Sequence, residues 1–161
     1  MAPDPLDPNI VYGGKISRFD QRSREVQNIS PEAVRSGKYR FLRTAPIIFS
    51  PVDPHTLYFG SNVLFKTTNG GHSWSTISPD LTLQNYDVPP GYGMYTDGNL
   101  DRAKNRGVIY TIAPSFRHAN TIWTGHDAGS IRLTRDSGMR RRNVTPAART
   151  LWSEVSLREE S

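Results

Sequence analysis

The chain has no cysteine among its 161 residues. Disulfides and thiolate metal sites are therefore excluded. No apolar run approaches the roughly 18 residues that a membrane-crossing helix needs. Met1 to Asn9 (MAPDPLDPN) has neither the basic stretch nor the apolar stretch of a secretory signal. Hydrophobic residues are few, at 35%. Clustered charge is scarce too: the formal net charge is +5, yet only Arg140-Arg141-Arg142 forms a run. A spread of this kind reads as a solvated basic surface, and nucleic acid is not an expected partner. What the chain does have is 12 prolines and 13 glycines, a balance that suits many short strands joined by turns.

The strongest internal signal is repetition. Pro51 to Pro79 reads PVDPHTLYFGSNVLFKTTNGGHSWSTISP, and imperfect copies flank it. Pro5 to Tyr12 precedes it in matching order, and His118 to Gly125 follows it. Each copy closes on one signal: Asn28-Ile29-Ser30-Pro31, Thr76-Ile77-Ser78-Pro79 and Asn143-Val144-Thr145-Pro146. In the middle copy, four strands are predicted at Thr44–Phe49, Thr56–Gly60, Val63–Thr67 and Ser73–Ile77. Asp53-Pro54-His55 supplies the first turn. Asn69-Gly70-Gly71 supplies the last, since those residues tolerate positive φ. Four antiparallel strands in about 36 residues is the size of one β-propeller blade.

The predicted architecture is all-β, a partial propeller of about three blades. Residues 2–31 form a blade with strands two to four only (Ile10–Tyr12, Ile16–Phe19, Glu25–Ile29). Residues 44–79 form the complete blade. Residues 107–146 form a third, with strands at Val108–Ala113, Thr121–Thr124, Ile131–Thr134 and Arg141–Val144. Trp152 to Leu157 alternates polar and apolar residues, so 151–157 is predicted to open a further blade. Tyr12 and Tyr58 are 46 residues apart, whereas Tyr58 and Trp123 are 65 apart. The excess is an insertion at 80–106, polar and rich in tyrosine. Loops of that length inside a compact repeat usually carry function or are poorly ordered. Three blades leave open edges, which implies a piece of a larger wheel that is marginal or self-associating when made alone.

Thr67-Thr68-Asn69-Gly70-Gly71-His72-Ser73-Trp74 resembles the Asp-box, S/T-x-D-x-G-x-T/S-W, of sialidases, xyloglucanases and sortilin-type propellers. Asn69 stands where aspartate is usual. The third copy keeps Thr134, Asp136 and Gly138 but has Arg141 in place of tryptophan. The first copy, Phe19 to Val26, has lost most of the motif. The wider phrasing, from DPNIVYGG to GVIYTIAPS, is similar to bacterial sortilin-like Asp-box (BNR) repeat proteins, often labelled glycosyl hydrolases. The resemblance implies that Thr67, Asn69, Gly71, Ser73, Trp74, Thr134, Asp136 and Gly138 are structural. It also implies an extracytoplasmic protein whose partners are its remaining blades and a protein or carbohydrate ligand. Activity does not follow, because one propeller architecture hosts many functions.

Catalysis on glycosidic bonds needs two carboxyl groups about 5 to 9.5 Å apart. Asp80, Asp87, Asp97, Asp101 and Asp127 are available, and no motif assigns a role to any of them. Asp87, Asp97 and Asp101 share the insertion with Tyr86, Tyr92 and Tyr95, and Asp97 and Asp101 are the candidates named for catalysis. Tyrosines can stack on sugar rings and carboxylates can accept from hydroxyls. Arg40, Arg43 and Arg106 could hold a substrate carboxylate, although their spacing does not select them. His55, His72, His118 and His126 lack metal-ligand spacing and read as loop residues. No cofactor and no metal is expected. The leading expectation is a non-catalytic propeller segment that binds a protein or other ligand. The alternative is part of a sialidase- or xyloglucanase-like glycoside hydrolase.

Overall fold

The computed structural model describes residues 1–13, 15–31, 34, 38–42, 44–82, 107–136 and 140–147. Among these, twelve strands form three four-stranded sheets, each an antiparallel meander in chain order. Sheet one holds β1 (Ala2–Pro3), β2 (Ile10–Gly13), β3 (Ser17–Asp20) and β4 (Val26–Asn28). Sheet two holds β5 (Ile47–Phe49), β6 (Leu57–Gly60), β7 (Leu64–Thr67) and β8 (Ser75–Thr76). Sheet three holds β9 (Ile109–Pro114), β10 (Ile122–His126), β11 (Ile131–Thr134) and β12 (Arg141–Asn143). The all-β partial propeller predicted from the repeats is the fold observed. Most of the 80–106 insertion and the strand predicted at 151–157 lie outside the described residues.

Sheet one corrects the sequence expectation. The blade at 2–31 has a fourth strand after all, because β1 pairs with β2 through Ala2↔Tyr12 and Pro3↔Val11. A two-residue strand has no periodicity, and its proline suppresses the strand signal by lacking an N–H. Two strand starts shift for a backbone reason. Ile16 has φ +61° and Arg24 has φ +60°, left-handed values incompatible with a strand. Hence β3 starts at Ser17, and β4 at Val26.

The sheets stack face to face, with sheet two in the middle. All four residues of β6 are buried, because both of its faces are covered. Leu57, Phe59 and Phe65 join Ile10, Tyr12, Ile16 and Ile29 of sheet one in a single cluster. Phe59 stacks on Phe65 and meets Trp74 edge-on, with centroids 5.7 Å and 6.0 Å apart. On the opposite face Tyr58 and Leu64 pack with Ile109, Ile112 and Ile122 of sheet three. This explains why LYFG shows no alternation of burial, whereas β2 alternates between buried and half-buried residues. Gly60 permits the approach of sheets two and three. A Cβ there would lie 2.9 Å from Pro46 Cγ and 3.0 Å from Ile109 Cγ2.

The repeated turn residues have repeated jobs. Asp7 Oδ1 accepts from the Asn9 N–H, and Asp53 Oδ1 accepts from the His55 N–H. The closing Ser/Thr-Pro signal also has a cause. Ser78 Oγ accepts from the Leu64 N–H at 2.7 Å, and Thr145 Oγ1 accepts from the Ile131 N–H at 2.9 Å. A hydroxyl thus takes the end of the ladder at the point where the strand stops.

Candidate functional site

The turn between β7 and β8 is built from its own side chains. The Thr67 hydroxyl donates to Asn69 Oδ1 at 2.8 Å and accepts from the Gly71 N–H at 3.1 Å. Asn69 Oδ1 accepts from the Ser73 N–H at 3.0 Å, and its Nδ2 donates to Ser73 Oγ at 2.8 Å. Gly70 and Gly71 adopt φ +66° and +88°. With the Ser73 N–H committed to Asn69, the ladder starts only at Ser75. Trp74 then reaches out of its own sheet. Its indole N–H donates to the Ile29 carbonyl of sheet one at 2.6 Å. The turn is therefore a latch between two sheets. In sheet three Asp136 Oδ1 likewise takes the Thr134 hydroxyl at 2.8 Å and the Arg140 N–H at 2.8 Å. Asn and Asp can both serve here because the two bonds the turns share use only the side-chain oxygen, the Nδ2 bond to Ser73 being an extra that Asn69 alone makes. Gly138 lies outside the described residues.

A second cluster joins the segments that enter and leave sheet two. Asn62, in the turn after β6, accepts from the Arg40 N–H at 2.9 Å and donates from Nδ2 to Asp80 Oδ2 at 2.8 Å. The Arg40 guanidinium meets Asp80 Oδ2 at 3.2 Å, Thr82 Oγ1 at 3.2 Å and the Gly107 carbonyl at 3.4 Å. Thr82 and Gly107 are the two ends from which residues 83–106 depart. One arginine therefore closes the neck of the insertion. Asp80 feels opposing influences. Burial pushes its carboxyl up, but hydrogen bonds from Thr82 and Asn62 and the Arg40 charge outweigh that, leaving it below the ordinary value.

Sheet three repeats half of this device. Asp127 Oδ1 accepts from the Val108 N–H at 3.3 Å, and the Asp127 N–H donates to the Val108 carbonyl at 3.3 Å. Asn62 and Asp127 share a signal in the sequence, since each follows a glycine of its sheet's second strand by two residues (Gly60-Ser61-Asn62, Gly125-His126-Asp127). Arg40 gave no such signal.

Of the other sequence candidates, Asp87, Asp97, Asp101, Tyr86, Tyr92, Tyr95, Arg43 and Arg106 lie outside the described residues. Asp80 and Asp127 hold loops together, as described above. His55, His72 and His118 lie in turns, as expected. His126 does not. It is the last residue of β10, 1% exposed, with Nε2 3.1 Å from Thr124 Oγ1. A shift in the pairing with β9 at Gly125/His126 carries the strand past its predicted end. Among the described residues, no three His, Asp or Glu side chains are grouped to hold a metal ion.

No protein-family model matches the chain, and no curated protein matches it. Solved structures do. A GH74 enzyme of Niastella koreensis is 18% identical with a TM-score of 0.52, covering 90% of this chain and 22% of that one. A structure of YCF48 bound to D1 peptide is 14% identical with a TM-score of 0.44, covering 84% of this chain and 35% of that one. The chain thus spans well under half the length of either. The GH74 enzyme is a β-propeller. Three consecutive four-stranded meanders, stacked face to face and not closed on themselves, have the fold of a β-propeller segment.

Proposed function

We propose that this chain is a non-catalytic propeller segment that binds a protein or carbohydrate ligand through its 80–106 insertion, in the manner of sortilin-like Asp-box proteins. The observation that carries this reading is the Arg40 neck. A three-point contact to Asp80, Thr82 and Gly107 holds both ends of the insertion at one place on sheet two. A loop rooted this firmly can present Tyr86, Tyr92 and Tyr95 as a stacking surface, with Asp97 and Asp101 as acceptors. The described aspartates are tied into the scaffold. Asp4, Asp7, Asp20, Asp53, Asp80, Asp127 and Asp136 each accept local hydrogen bonds that hold a turn or loop. The test is a panel of immobilised glycans and peptides screened with the full chain. Replacing Tyr86, Tyr92 and Tyr95 together by alanine should weaken the retained ligand at least about tenfold, given ~1.4 kcal/mol per decade. The unfolding midpoint should not move. Undiminished binding by the triple variant would refute the assignment.

The second reading is a portion of an Asp-box glycoside hydrolase. It is favoured by the β7–β8 turn, whose bonding suits the Asp-box, and by the acidic pair in the insertion. Its mark would be turnover of aryl glycosides or xyloglucan, abolished by Asp97→Asn or Asp101→Asn.

A further inference from the structure

In sheets one and two, one aromatic on the second strand is covered by the first strand of the next sheet. Tyr12 of β2 meets Phe49 of β5 edge-on, with centroids 5.3 Å apart. Tyr58 of β6 is buried against Ile109 and Ile112 of β9. Trp123 holds the same place on β10, and no described strand follows sheet three. The indole Nε1 of Trp123 is buried and has no acceptor among the described residues. Beside it runs a groove of about 530 Å³, lined by Trp123, Leu133 and Val144 and rimmed by Arg135, Arg140 and Arg142. The three arginines are exposed. Asp136 also borders the groove, but its Oδ1 is engaged by Thr134 and the Arg140 N–H.

We propose that residues 151–157 of this chain (LWSEVSL) dock in this groove and cover Trp123, as β5 covers Tyr12 and β9 covers Tyr58. Three observations select this occupant. The first is position. Each earlier sheet is covered by the strand that comes next in sequence, and 151–157 is the next predicted strand. The second is reach. Crossing a four-stranded sheet spans about 14 Å, three spacings of ~4.8 Å. The stretch from Val144 to Thr150 can extend to about 23 Å. The third is charge. Glu154, Glu159 and Glu160 lie in or just after the segment, opposite the arginine rim. Leu151, Val155 and Leu157 fall on one face of such a strand and match the apolar floor. The docking is independent of ligand binding at 80–106.

Hydrogen exchange on the unmodified full chain tests this directly. Amides of 151–157 should exchange at least about tenfold more slowly than an unstructured peptide of the same sequence. Arg142→Glu combined with Arg140→Glu should remove most of that protection while leaving β6 and β7 unchanged. Exchange at the unstructured rate in the unmodified chain would overturn the proposal. The cysteine-free background offers a second measurement. With Leu133→Cys and Val155→Cys, a short bis-maleimide should bridge the two thiols within one chain. Bridging only between chains would assign the groove to a second copy and defeat the proposal, and so would two singly capped thiols.

Discussion

At the residue scale, the most informative side chains connect one sheet to another. Trp74 packs on Phe59 and also caps the Ile29 carbonyl. Trp74→Ala should destabilise the chain by roughly 3 kcal/mol, near the low end for a buried aromatic because the ring is only part-buried. Trp74→Phe keeps most of the packing but loses the bond to Ile29, and should lose about 1–2 kcal/mol. Urea unfolding would show the order wild type, Phe, Ala; equal losses would mean that the indole N–H contributes nothing. Gly71→Ala should be harmful for two reasons, since φ is +88° and the new Cβ would lie 2.6 Å from Ile29 Cδ1. Asp80 makes a pH prediction. Its folded pKa is below the ordinary 3.8, so the stabilisation is present above that value and fades as pH falls through the folded one. The gap in unfolding midpoint between wild type and Asp80→Asn should therefore be full at pH 7 and shrink below about pH 4. A gap unchanged at pH 3 would exclude the charged form as the source. The motif made Asn69, Gly71 and Trp74 legible in the sequence. Arg40 was not, because its partners at residues 62, 80, 82 and 107 meet only once the sheets have formed.

At the scale of elements, the period of the repeat and its turn residues were enough to place the second, third and fourth strands of every sheet. What they could not place were strands set by partners rather than by pattern. β1 exists because Tyr12 and Val11 offer it a ladder, and a dipeptide containing proline has no pattern of its own. β10 runs on to His126 because a shift in its pairing with β9 permits it. The joints between sheets are also unequal. Sheets one and two share a large aromatic cluster and the Trp74 latch. Sheets two and three share a smaller aliphatic cluster, with Gly60 pressed between Pro46 and Ile109. Gly60→Ala should therefore force the second joint apart, costing about 1–3 kcal/mol as an overpacked contact. Exchange of β9 amides should quicken more than exchange of β2 amides. A uniform loss across all three sheets would show that the joints unfold together.

At the scale of the molecule, a stack of sheets has two ends, and here they differ. One face of sheet three carries Trp123 within an arginine rim. The outward face of sheet one carries Val11, Phe19 and Val26, with Val26 68% exposed. Val26 is the eighth residue of the stretch Phe19 to Val26, as Trp74 is of Thr67 to Trp74, so sheet one presents an aliphatic side chain where sheet two has its latch. Exposed apolar sheet faces associate. The purified chain should therefore self-associate through sheet one, with a sedimentation coefficient that rises with concentration across the micromolar range. Val26→Lys adds a charge on an exposed strand at little cost to the fold and should hold the chain monomeric. A second lysine at Phe19, whose Cα pairs with that of Val26, should add little once the first is in place. If the wild-type chain sediments as one compact species at every concentration, the outward face of sheet one is adequately solvated as it stands, and three sheets suffice for an independent unit.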